Sequence, residues 1–272
     1  MGDETEDLNT AASPVERFHE LHDEGIFVMP NPWDIGSARV LEGLGFPALA
    51  TTSGGHATTL GRIDGQVTRQ ELIDHVRELT SVVGVPLNVD AERCFAEDPE
   101  GVAVTIIELA AAGASGCSIE DWDPESSEID PIAKSVDRVV AAVEAAAATG
   151  LIITARAENH IRGVQEIDDT VARLEAYRDA GAHAVYAPGI YRPEDIRRVV
   201  EVGLPVNYLA LPGGPSVPEL GELGVRRVST GASLARAAYA ALIDGANELL
   251  TDGTSSYLAR ATSASALNNL LA

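Results

Sequence analysis

The chain has 272 residues, with 19 Lys and Arg against 42 Asp and Glu, a net charge of −23 and a sequence pI near 4.5. That balance excludes the basic footprint of a nucleic-acid binder, and an anionic membrane surface would repel the chain. Hydrophobic residues still make up 45%, enough to fill a core, which argues against wholesale disorder. Lys134 is the only lysine, and the other 18 basic residues are Arg. An acid excess with almost no Lys suits concentrated salt, where the Debye length falls to about 3 Å and self-repulsion is screened. A GC-rich codon bias is the alternative, but it leaves the carboxylates unexplained.

Residues 1–12 read as a solvated acidic tail without the features of a signal peptide. Short apolar runs then alternate with helical segments. The runs are 26–30, 47–52, 86–90, 116–120, 151–156, 183–187, 205–209 and 226–230. Each has strand length, and several follow a Gly-containing turn of the kind that caps a helix before a buried strand. Helices are predicted over 36–44, 68–82, 99–112, 131–149, 166–180, 193–202, 216–223 and 233–250. Thr68 and Glu71 form a capping box at the second of these. Eight such alternations in a row predict a (β/α)8 barrel over 13–250 as one domain. A doubly wound open sheet is the alternative, weakened because no GxGxxG follows the first strand. Residues 251–272 read as a weak helix packing on a partner subunit. Cys94 and Cys117 give no disulfide framework, and no apolar stretch is long enough to span a membrane, so a cytoplasmic protein is expected.

In such a barrel the active site lies where the strands end at their C-terminal side. Asp90 and Glu92 follow the third strand and lean the same way. Glu120 and Asp121 end the fourth. Acids crowded together need a cation between them, and hard oxygen donors favour Mg²⁺ or Mn²⁺ over Zn²⁺. Helix caps or solvated charges are the plainer alternative. Ser53, Gly54 and Gly55 after the second strand can aim backbone N–H groups at an anion. Arg156 suits a substrate carboxylate, or alternatively pairs with Glu158 or Glu120. Asn207 marks the seventh strand. His56 and His160, just past strand ends, are candidate acid–base groups. Cys94 is a weaker proton-donor candidate, with a buried apolar role favoured.

These residues stand in blocks that resemble one superfamily: residues 30–65, then VDAE (89–92), SIED (118–121), ITARAEN (153–159), 174–189, PVNYLALPG (205–213) and LGVRRVSTG (223–231). The chain resembles the isocitrate lyase/phosphoenolpyruvate mutase superfamily, in the short-chain branch of 2-methylisocitrate lyases, phosphonopyruvate-processing enzymes and oxaloacetate decarboxylases. The resemblance implies a (β/α)8 barrel whose last helix swaps between subunits of a homo-oligomer, dimer or tetramer. It implies Mg²⁺, sometimes Mn²⁺, held by Asp64, Asp90, Glu92 and Glu120. It places a small carboxylate substrate on Ser53, Gly54 and Arg156. The chemistry is then expected from Arg156, Glu120 and His160, through a pyruvate-enolate-like intermediate.

Two departures bear on the reaction. The lyases carry a Lys-(Lys/Arg)-Cys-Gly-His loop after the fourth strand, and the mutases a Lys- and Asn-containing one. Here that stretch is EDWDPESSEIDPIAK (120–134). The Gly-aromatic-Gly turn after the third strand is replaced by Arg93-Cys94-Phe95-Ala96. Oxaloacetate-type decarboxylation is therefore ranked first, then methylisocitrate-type C–C cleavage. Phosphonopyruvate P–C chemistry and a non-catalytic carboxylate-binding barrel are the alternatives.

Overall fold

A computed structural model describes residues 12–272, so nearly all of the expected acidic tail lies outside the described residues. The first half runs α1 (Pro14–Asp23), β1 (Phe27–Met29), α2 (Ile35–Gly43), β2 (Leu49–Ala50), α3 (Ser53–Thr59), α4 (Arg69–Thr80), β3 (Leu87–Asp90), α5 (Pro99–Ala111) and β4 (Gly116–Glu120). A small hairpin follows, β5 (Trp122–Asp123) and β6 (Glu128–Ile129). Then come α6 (Ile132–Ala146), β7 (Ile152–Arg156), α7 (Ile167–Asp179), β8 (Ala184–Tyr186), α8 (Pro193–Val200), β9 (Val206–Leu209), α9 (Val217–Glu222), β10 (Arg227–Ser229), α10 (Ser233–Thr251) and α11 (Ala264–Leu271).

The eight barrel strands run parallel in the order β1-β10-β9-β8-β7-β4-β3-β2. The two ends of that series meet: Ala50 N–H donates to Pro30 O at 3.0 Å, and Asn31 Nδ2 donates to Thr51 O at 2.6 Å. The result is a nearly closed (β/α)8 barrel, and the open-sheet alternative falls. Caps explain where the helices start. Thr68 and Glu71 make the predicted capping box, and Asp98 caps α5 through Gly101 N–H with Pro99 at its first position. The main core lies between strands and helices, with Val89, Ile106, Ile153, Leu174 and Val185 fully buried.

The sequence reading did not assign α1, which starts with the capping box Ser13–Glu16. Its Phe18 is 0% exposed and packs with Phe27, Met29, Ala48, Ala50 and Ile152, plugging the barrel at the N-terminal ends of the strands. Burying a Phe there contributes roughly 1.5–3 kcal/mol. The C-terminal α11 lies on α2 of its own chain, where Gly43 admits the Leu270 backbone. In contrast, α10 buries only Ala235 and Gly245 and leaves Leu242, Ile243 and Leu250 exposed. Among the described residues, no helix is long and apolar enough to cross a membrane.

Candidate active site

The C-terminal strand ends open into two adjoining chambers. The inner one, about 380 Å³, is walled by Ser53, Asp64, Asp90, Arg156 and Asn207 among others. The outer one, about 400 Å³, shares Ser53, Asp64 and Arg156 and adds Glu92, Glu120 and Arg162. Arg156 is the hub. Its Nη1 lies 2.7 Å from Asp90 Oδ1, and its Nη2 lies 3.1 Å from Glu120 and 2.6 Å from Glu158. Both candidate roles of Arg156 therefore meet in one place: it sits in the cavity, and it is held by acids. Burial works against its charge, but Glu158, Glu120 and Asp90 raise its pKa well above the ordinary value. Glu120 is pushed up by burial, against the pull of Arg156 and with Glu158, Asp90 and Glu92 adding repulsion. Glu92 rises to about 7, from burial and from the charges of Asp90 and Asp64.

The glycine-rich segment is a short helix rather than an open loop. Thr52 caps α3 by accepting from Gly55 N–H at 3.3 Å, so that amide is already used. Gly55 packs toward Trp33 and Ala235, away from the chambers. Ser53 N–H points to Asp90 Oδ2 at 3.3 Å. A Cβ on Gly54 would come within 3.1 Å of Asp64 Oδ2, so glycine lets that carboxylate close on the helix start. Asn207 lies deeper, donating to Ser229 Oγ at 2.9 Å.

His160 is not brought to the site. Ile161 faces the chambers, while burial lowers the pKa of His160 against the nearby charge of Asp195. His56 is buried and stacks on His75, ring centres 3.8 Å apart. Cys94 and Cys117 are both fully buried. Asp121 is structural: it accepts from Glu158 N–H, Tyr177 Oη and Arg173 Nη1 at 2.9, 2.7 and 3.1 Å. One residue missed in the sequence is Arg162. It lies over the Trp122 ring at 4.3 Å and pairs with Glu158 at 3.2 Å; its position four residues after Glu158, near a strand end, was the available signal.

The altered turn after β3 keeps a backbone suited to glycine. Glu92, Cys94 and Phe95 have φ of 49°, 60° and 53°. A side chain in this left-handed region costs of order 1 kcal/mol or more, so the surroundings must hold it. Cys94 N–H donates to Ala91 O at 2.7 Å and Glu120 N–H to Glu92 O at 3.0 Å. Thr105 Oγ1 donates to Cys94 O at 2.8 Å. Arg93 pairs with Asp123 at 2.6 Å and Asp130 at 3.1 Å. Those two pairs also tie down the β5–β6 hairpin, which stands where the lyase or mutase loop would be.

The donor set is made of hard oxygens, and burial first, with mutual repulsion added, raises the pKa values of Glu92 and Glu120. Among the described residues, no three His, Cys, Asp or Glu side chains come close enough to hold a metal directly, because Arg156 stands between Asp90 and Glu120. Such a set does not fit a closed, all-protein metal site. It fits an ion like Mg²⁺, which keeps several waters and takes one or two direct carboxylates.

A parallel barrel with acids and an arginine gathered at its C-terminal mouth is the arrangement of a barrel enzyme. The comparisons agree: the chain belongs to the phosphoenolpyruvate phosphomutase family, whose model matches residues 18–250, within the isocitrate lyase/phosphoenolpyruvate mutase superfamily of lyases and mutases. A solved Burkholderia cenocepacia J2315 protein, provisionally described as a lyase/mutase, is 44% identical with a TM-score of 0.90, over 93% of this chain and 94% of that one. The oxaloacetate decarboxylase of Paraburkholderia xenovorans is 34% identical over 76% of this chain and 71% of its own. A Corynebacterium glutamicum protein assigned as 2-methylisocitrate lyase 2 is 30% identical over 74% and 69%. Mg²⁺ serves members of this superfamily.

Proposed function

We propose that the protein is a Mg²⁺-dependent lyase of small 2-oxo or 2-hydroxy carboxylates, with decarboxylation of an oxaloacetate-like acid ranked first. The observation that carries this is the gathering of Arg156, Ser53, Asp64, Asp90, Glu92 and Glu120 around two joined chambers. Asp90 would hold the ion directly, and Asp64, Glu92 and Glu120 would hold it through its waters. Bound there, Mg²⁺ supplies Lewis-acid stabilisation of negative charge on the substrate oxygen. Arg156 binds the substrate carboxylate as a fork once one of its acidic partners yields. Ser53 N–H, now on Asp90, is a fixed donor beside the same space and stabilises an enolate oxygen. Tyr186 walls the cavity, with the Arg156 guanidinium carbon 5.1 Å from its ring centre.

Decarboxylation leads because it needs only the ion and the carboxylate clamp. A retro-aldol cleavage needs a placed acid or base, and neither cysteine faces the chambers. Methylisocitrate-type cleavage ranks next, then phosphonopyruvate chemistry. We place the enzyme in the cytoplasm, with the acidic surface suited to concentrated salt and the exposed apolar residues of α10 packing in a homo-oligomer.

The test is direct. The protein is purified in high KCl, and oxaloacetate, other 2-oxo acids, methylisocitrate and phosphonopyruvate are screened for pyruvate release with Mg²⁺ and with EDTA. Metal-dependent release from oxaloacetate is expected. No turnover, together with no metal-dependent thermal shift, would leave a non-catalytic carboxylate-binding barrel.

A further inference from the structure

Arg227 is 1% exposed and heads the largest fully buried side chains. It opens β10 and walls the inner chamber at its deep end. Its Nε donates to Asn207 Oδ1 at 3.0 Å and its Nη2 to Thr154 Oγ1 at 2.7 Å. Its Nη1 lies 3.2 Å from His22 Nε2. Because Arg can only donate, that histidine nitrogen accepts, and Nδ1 donates to Phe18 O at 2.6 Å. The Phe18 ring lies 6.0 Å from the guanidinium carbon. Every one of these partners is neutral. Among the described residues, none of the hydrogen-bond partners of Arg227 is a carboxylate.

A buried cation without a counter-charge is costly, by several kcal/mol per ion. Burial pushes the Arg227 guanidinium down to about 10, which still leaves it charged at neutral pH. A guanidinium has about five N–H donors; three are used here, so two remain. Asn88 Oδ1 is buried with no hydrogen-bond partner, and Ser118 Oγ reaches only Val89 O, at 3.4 Å. Both belong to a side chain that walls the inner chamber. Thr154 and Arg156 are two residues apart on β7 and face the same way, about 6.5 Å from each other. Arg227, bonded to Thr154, therefore lies one layer of side chains below Arg156. A short di-acid held at one end by Arg156 would point its other carboxylate toward this floor.

We propose that the barrel floor is an anion-binding subsite, in which the remaining N–H donors of Arg227 take a halide or the far carboxylate of a short di-acid. The halide form stands independently of the catalytic assignment, while the carboxylate form rests on it.

The full-length protein tests this with bromide as the probe. Bromide replaces a bulky sulfonate at constant ionic strength, so that general screening of the acidic surface cancels. The wild type should gain about 3–6 °C in Tm at ten times the bromide dissociation constant. Asn207→Asp puts a carboxylate against Arg227 Nε and should abolish that gain; Arg227→Gln should do the same. The aspartate variant keeps the test decisive if Arg227→Gln fails to fold. Crystals grown in bromide should show its anomalous signal beside Arg227. Added malate that displaces the bromide supports the site and identifies a carboxylate as its occupant. Bromide that stays beside bound malate supports it as a halide site. No signal at the floor, or equal Tm gains in wild type and Asn207→Asp, overturns the proposal. None of these readings uses turnover, so they stand apart from the assay for pyruvate release.

Discussion

Arg156 at the barrel mouth and Arg227 at its floor are one layer of side chains apart, yet they meet opposite surroundings. Arg156 touches Asp90, Glu120 and Glu158, and its charge is held on firmly. Arg227 touches an amide, a hydroxyl and a neutral imidazole, and its charge is opposed by burial. At the mouth, negative charge is in excess, and the proposed Mg²⁺ would complete the set. At the floor, positive charge is in excess and an anion completes it. One cavity thus runs between sites of opposite need, which suits a substrate that is bound through a metal at one end and carries a negative group at the other.

The largest effect should come from Asp90→Ala. Pyruvate release should fall by about 10³-fold or more, and the Mg²⁺-dependent Tm shift should vanish; survival of either would move the metal off this acid. Next, Arg156→Gln leaves three carboxylates facing one another. It should cost about 3–5 kcal/mol in EDTA, partly restored by Mg²⁺. Arg227→Gln should cost about 1–3 kcal/mol and ignore Mg²⁺. Urea unfolding of both variants with and without metal measures this, and a larger loss at the floor would break the contrast.

The floor also has a pH signature. Burial and the charge of Arg227 lower His22 from 6.5 to about 3. The unfolded chain therefore binds a proton that the folded one refuses. Its stability contribution is full above pH 6.5 and is lost as pH falls from there toward 3, at up to ~1.4 kcal/mol per pH unit. His22→Gln should flatten that part of the acid limb by one proton, read from unfolding midpoints between pH 4 and 7. The smallest effect belongs to the rim. Trp122→Ala removes the ring beneath Arg162, worth about 0.5–1 kcal/mol; KM should rise by less than about fivefold and kcat should hardly change.

The strands were legible because an apolar run after a glycine turn has few other meanings. All eight predicted runs contain the observed strands, and the boundaries moved by only one or two residues. Asp90, Glu92, Glu120 and Arg156 are legible from their place at strand ends, whereas Asp64 rests on the family resemblance alone; all five line the chambers. What was missed depends on direction. In Arg226-Arg227 only the strand register decides which side chain enters the barrel; Arg226 turns outward to Gly25 O. His160 looked as well placed as Ile161, but the turn after β7 sends it toward α8. That turn packs on Gly189, whose φ of 94° and lack of a Cβ admit the His160–Ile161 backbone. The sequence assigns no helix over 53–59, because two glycines in seven residues give it poor intrinsic propensity, and tertiary packing forms α3 anyway. The β5–β6 hairpin has no apolar run to announce it and is held by Arg93.

That hairpin has a consequence for the pace of turnover. In many enzymes a closing segment sets the rate, because product leaves only when it reopens. Here the corresponding segment is bolted to the barrel by Asp123 and Asp130 through Arg93. If this rim stays in place during turnover, the chemical step is expected to set the speed, and thickening the solvent with sucrose should slow catalysis little.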